Sequence, residues 1–200
     1  VVFVIVHMFG NLKVYLGPEA FNHYAEGLRE FGAPFLGHEW FLWVFRVGLL
    51  AFLLIHTVAA WQTSRQSWAA RGQKYKKQEK LVFHYASRTM RWGGVALLLF
   101  VVYHILHLTT GTLHPDFIPG DAYHNFVTGF RSLPVVAVYF AAMIALGLHL
   151  YHGTWSAFQT MGLDGPRIKR WREPVALGVA LLVVLVNLSF PVAVYTGILQ

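Results

Sequence analysis

Four long apolar runs, at about 39–62, 92–110, 133–157 and 174–199, constrain this chain more than any other feature of its sequence. Each is long enough to cross a hydrocarbon core of about 30 Å, which takes about 20 helical residues. Hydrophobic residues make up 56% of the 200 and charged residues only 12%, too few polar groups to cover a soluble globule of this size. The opening stretch VVFVIVHMFGNL is apolar but short, and residues 1–10 read as half a span, the last turns of a helix that begins upstream. A cleaved leader would show a basic start and a small-residue cleavage site, and neither precedes Asn11. The expected fold is an all-α membrane protein, a five-transmembrane-helix bundle with a truncated first helix, forming a single membrane domain over 1–200.

Charge orients the bundle. The net charge of +7 could suggest nucleic acid, but the cations are grouped between the spans. Arg65, Arg71, Lys74, Lys76, Lys77, Lys80, Arg88 and Arg91 fall between the second and third spans, and Arg167, Lys169, Arg170 and Arg172 between the fourth and fifth. The other connections hold only Lys13, Arg29 and Arg131. The excess of Lys and Arg on cytoplasmic loops puts both basic segments, and the amino terminus, inside. The outer connection LGPEAFNHYAEGLREFG reads as a short amphipathic helix along the membrane surface, with Pro18 in its first turn and Gly32 near its stop.

The chain has no cysteine, which excludes disulfides, thiolate metal sites and cysteine-held iron–sulfur clusters within it. Its eleven histidines are more informative. At 1.5 Å per helical residue, His104 lies about 20 Å from the inner surface, and His7 lies near the outer end of the first span. His56 lies about 13 Å from the inner basic loop and His149 about 24 Å in from the outside. Four spans therefore each carry one histidine, sorted by depth into an outer pair, His7 and His104, and an inner pair, His56 and His149. Two stacked hemes need that pattern, because neutral imidazole is a good axial ligand for iron and bundles build cofactor sites from inward-facing side chains. The alternative is four core histidines bonding across helices. Small residues close by, Gly10, Ala59, Ala60, Gly147 and Gly153, would admit a flat macrocycle or simply allow close helix packing.

His107 and His152 each follow a candidate ligand by three residues. They could bond a heme propionate or a quinone, or be wet interfacial residues. Arg46, seven positions into an apolar span, needs an anion, and an outer propionate would serve. At the inner boundary Ser64, Arg65, His84, Ser87, Arg88 and Arg91 are the corresponding candidates, or headgroup anchors.

The stretches VIVHMFGNLKVYLGPEAFNHYA, LLIHTVAAWQTSRQ, VVYHILHLTTG and GLHLYHGTWSAFQTMG resemble, in order and spacing, the diheme cytochrome b membrane anchor of bacterial succinate:quinone oxidoreductases. The resemblance covers essentially the whole chain. It implies two b hemes with bis-histidine ligation at the positions already singled out, His7 with His104 and His56 with His149. It further implies a flavoprotein subunit holding FAD and an iron–sulfur subunit, both on the cytoplasmic face of the bacterial inner membrane. Electrons would then pass through the hemes to menaquinone or another quinone. The family also works in reverse, as quinol:fumarate reductase. No nucleic acid is implied, and a higher oligomer of the complex is left open.

The chain's own lack of a dinucleotide-binding glycine pattern agrees with that division of labour. Glu30, Glu26 and His23 on the surface helix are candidates for proton exchange with quinone. Some fumarate reductases of the family carry a glutamate two residues before the fourth-span ligand; here that position is Gly147, which favours succinate oxidation without a compensating proton route. Competing readings are the cytochrome b subunit of a hydrogenase, formate dehydrogenase or nitrate reductase, and a heme-free transporter or scaffold.

Overall fold

The computed structural model describes residues 1–70, 83–163 and 165–200, apart from the side chains of residues 34, 83–89 and 167. Most of the described residues are helical, with no strand among them. In chain order the helices are α1 (Val2–Asn11), α2 (Pro18–Glu30), α3 (Ala33–Leu36), α4 (Trp40–Ala69), α5 (Phe83–His104), α6 (Ala122–Gly129), α7 (Leu133–Thr160) and α8 (Pro166–Tyr195). A 3-10 segment, Leu12–Leu16, follows α1, and a π-helical turn, Ile105–Thr109, continues α5.

Among the described residues four stretches are long and apolar enough to cross a membrane: Trp40–Ala69, Met90–Thr109, Leu133–Thr160 and Ile168–Tyr195. Val2–Leu16 is a shorter apolar helix. The chain is an integral membrane protein. Helix α8 starts well before the apolar run at 174, so Lys169, Arg170 and Arg172 stand on its first turns and not in a loop.

The chain forms two compact units, one of residues 1–22 and 82–200, the other of residues 23–81. In the first, α7 packs along α8, α5 lies against α7, and α1 lies against α8. Each of the two long helices buries one stripe, as an amphipathic periodicity requires. On α7 the stripe is Val136, Tyr139, Met143, Gly147 and Leu150; on α8 it includes Ala176, Ala180, Val183 and Phe190. Small residues on both stripes let the backbones approach closely. Adding a Cβ to Gly147 would bring it to 2.5 Å from Val184 Cγ2, so Gly147 is a packing position filled from α8 and not a slot for a macrocycle. The larger core cluster joins Val14 and Phe21 to Phe126, Phe130, Tyr139 and Phe190. A smaller one joins Met8 to Leu150, Ala180 and Val183.

In the second unit α4 carries the long apolar run. The turn before it puts Glu39 in the left-handed region at φ 63°, and its amide donates to Arg29 O at 2.7 Å. The basic residues Arg71, Lys74, Lys76, Lys77 and Lys80 lie outside the described residues, as do the side chains of His84, Ser87 and Arg88.

Candidate functional site

His7 on α1 and His104 at the end of α5 stand with ring centres 5.8 Å apart and planes at 80°. Two metal–imidazole bonds of about 2 Å on opposite sides of one ion hold the nitrogens about 4 Å apart, and hence the ring centres about 6 Å apart. The observed separation fits that span. Phe3 stacks on His7 at 5.5 Å and Phe100 lies 5.8 Å from His104, so aromatic faces limit the freedom of both imidazoles. Among the described residues no group of three or more His, Cys, Asp or Glu could hold a metal ion; a heme would need only a pair of histidines from the protein.

A second cluster adjoins the first. Tyr139, buried on α7, places its Oη 3.1 Å from His104 Nδ1 and 3.1 Å from His107 Nδ1. The π-turn, in which Thr110 N–H donates to Ile105 O at 2.9 Å, follows His104 directly. Such turns often mark functional sites. His107 is 0% exposed, lying between Tyr103, stacked at 5.4 Å, and His114, stacked at 5.1 Å. That burial excludes a wet interfacial role for His107, which a surface placement from spacing alone had allowed. Gly129 backs the pair: a Cβ there would lie 2.9 Å from His107 Cε1 and 3.0 Å from His114 Nε2.

His114 and Asn125 shape the loop between the π-turn and α6. The Asp116 amide donates to His114 Nδ1 at 3.1 Å, which puts the ring proton on Nε2, where it is given to Asn125 O at 2.9 Å. The Asn125 side chain in turn donates to Ile118 O and accepts from Ile118 N–H, both at 2.7 Å. None of Tyr139, His114, Asn125 and Gly129 stood out in the sequence. The signal available was a tyrosine in the apolar first half of α7.

The remaining candidates are dispersed. His149 lies on α7, and a Cβ on Gly94 of α5 would stand 3.9 Å from its Cε1, so bare backbone faces this ring. His152, half-buried, meets Tyr151 edge-on at 5.0 Å. Near them the Arg172 guanidinium lies 4.5 Å over the Trp155 ring, tying α8 to α7. His56 belongs to the other unit, on α4 with half-buried Ser64 and with Arg65, which stacks on Trp61 at 5.0 Å. Arg91 is half-buried on α5.

Arg46 has its anion within the chain: Glu39 Oε2 lies 3.9 Å from it, and Trp43 lies beneath its guanidinium at 4.9 Å. Arg29 bridges Glu39 and Glu26 at 3.4 Å each, and His38 meets Glu26 at 3.2 Å. The hydrogen bond from His38, more than the charge of Arg29, holds the Glu26 carboxyl below its ordinary value. Glu30 and His23 are exposed on α2.

The family model described as succinate dehydrogenase/fumarate reductase transmembrane subunit matches residues 62–188. The chain belongs to this family. No curated protein and no solved structure matches the chain. As a succinate dehydrogenase/fumarate reductase transmembrane subunit it is part of an enzyme complex, and the transporter and hydrogenase-cytochrome readings fall away. The matched segment contains His104, Tyr139 and His149, whereas His7 and His56 precede it.

Proposed function

We propose that this transmembrane subunit is the diheme cytochrome b anchor of a succinate:quinone oxidoreductase. His7 and His104 hold an outer heme, and His56 and His149 an inner one. The observation that carries the reading is the approach of His7 and His104, two histidines far apart in sequence whose rings come within one metal-ligand span. Bound heme supplies one-electron transfer between an iron–sulfur partner and a membrane quinone. The chain's own work is to hold two imidazoles per layer between its helices and to present its basic ends to the partner subunits. Its amino terminus is cytoplasmic by the distribution of cations, and flavoprotein and iron–sulfur subunits dock on that face of the bacterial inner membrane.

Glu30 and His23, exposed on α2, with Glu26 beside them, are the groups we assign to proton exchange with the quinone, menaquinone or another. Unchanged quinone turnover in Glu30→Gln would count against the role of Glu30. His152, Ser64, Arg65 and Arg91, together with His84, Ser87 and Arg88, are assigned to the propionates of the inner heme or to a quinone. Succinate oxidation is the favoured direction over fumarate reduction: Gly147 has no acid, and Val184 fills the space a side chain there would need.

The test is a pyridine hemochrome assay on the purified complex and on His104→Ala and His149→Ala. About two b hemes per chain, each variant losing a different one, is the expected result. An absence of heme from the intact complex would overturn the reading.

A further inference from the structure

We propose that Tyr139 is the positioning residue for the outer iron ligand, its phenol oxygen accepting from His104 Nδ1–H while its own proton goes to His107 Nδ1. The inference rests on His104 being a heme ligand. A histidine that binds metal through Nε2 carries its proton on Nδ1, and the partner of that proton sets both tautomer and ring orientation. Among the described residues that partner is Tyr139 Oη, at 3.1 Å.

The phenol has one proton and two acceptor sites, so it cannot hold both histidines in the same way. If it accepted from both, its own proton would have no acceptor among the described residues, and His107 Nε2 would also be left without one. If it accepts from His104 and donates to His107, His107 Nε2 is the one polar atom of the three side chains without a partner. A buried polar group left without a partner is destabilising, so the directional arrangement, which leaves the fewest, is the stable one. A proton held on His104 Nδ1 would thus fix the tautomer of His107, a turn further on.

Three features hold the phenol in place. Phe130 and Phe100 meet the Tyr139 ring at 4.7 Å and 5.0 Å, both nearly edge-on, and Tyr103 lies 6.1 Å away. The π-turn after His104 widens the helix where His107 must reach the same oxygen. Gly129 leaves His107 the room to do so.

A hydrogen bond accepted from Nδ1–H would make the imidazole a stronger donor to a bound ferric iron, and bonds to the far nitrogen of a ligating histidine tune heme potentials. Losing it raises the reduction potential of the outer heme. The experiment is a redox titration, read by heme absorbance, of the intact complex carrying Tyr139→Phe, with Tyr103→Phe as the packing control. His107→Leu is a second variant that removes the acceptor of the phenol proton and leaves Tyr139 and His104 unchanged.

The expected result is an upward shift of one heme in Tyr139→Phe, a smaller shift of the same sign in His107→Leu, and no shift in Tyr103→Phe. Two wild-type potentials in Tyr139→Phe, or equal shifts in Tyr139→Phe and Tyr103→Phe, would overturn the assignment and leave the diheme reading standing. A wild-type complex without heme would remove both.

Discussion

Asn22 Nδ2 donates to Asp121 Oδ1 at 2.9 Å, a bond between residues 99 apart in sequence. The same asparagine accepts the Tyr123 amide at 2.8 Å, and Asp121 caps α6 by accepting the His124 amide at 2.9 Å. Two side chains thus satisfy amides at the start of α6 and tie it to the head of α2, beside the aromatic contact of Phe21 with Phe126 at 5.7 Å.

The cap makes Asp121→Ala costly. Loss of an aspartate cap is worth about 1 kcal/mol, and a lowered thermal midpoint of the detergent-solubilised complex is the expected reading. The backbone bond from His124, and then the side chain of Asn22, hold the Asp121 carboxyl below its ordinary 3.8. Its stabilisation is therefore complete above the unfolded value and disappears as pH falls through the lower folded value. Asp121→Asn should flatten that acid limb, which a series of melts below pH 5 would detect.

Gly129→Ala should disturb the His107–His114 pair. Its methyl would stand 2.9 Å from His107 Cε1 and 3.0 Å from His114 Nε2, inside a fully packed region where overpacking costs about 1–3 kcal/mol. A fall in thermal stability of that order, together with a changed spectrum of the outer heme, is expected. Wild-type behaviour in both would show that the loop before α6 yields without moving His107.

Gly147 and Val184 should behave as one unit. Gly147→Ala alone meets Val184 Cγ2 and should destabilise by about 1–3 kcal/mol. Val184→Ala in the same chain should recover part of that loss, a non-additivity that a double-mutant cycle of thermal melts measures.

Arg46 and Glu39 should show weak coupling. Their atoms are 3.9 Å apart and both side chains are about a third exposed, which puts the pair in the class worth about 0.5 kcal/mol. Glu39→Gln, Arg46→Gln and the double variant should differ by no more than that, with heme content unchanged. Loss of one heme in Arg46→Gln alone would instead assign this arginine to a propionate.

The parts legible in the sequence are those decided by short stretches of it. Membrane crossing is the sum of side-chain transfer terms over about 20 consecutive residues, so the runs that became α4, α5, α7 and α8 were readable in place. The amphipathic α2, from Pro18 to the turn at Gly32, followed from local composition and stop signals. The candidate ligands were visible for the same reason: a histidine in an apolar run is conspicuous wherever the helix goes. His107 was conspicuous too, but its environment was not, since spacing placed it nearer the surface and the fold buried it completely.

Sequence alone therefore determined that the chain enters a membrane, which stretches do so, and which of their residues are chemically out of place there. Tertiary structure alone decided what those residues meet: Tyr139 for His104 and His107, Glu39 for Arg46, Val184 for Gly147 and Asn22 for Asp121. Burial in lipid is set residue by residue along one helix. A hydrogen bond or a close contact depends on which helices become neighbours and in what register, and a single π-turn after His104 is enough to change which side chains share one oxygen.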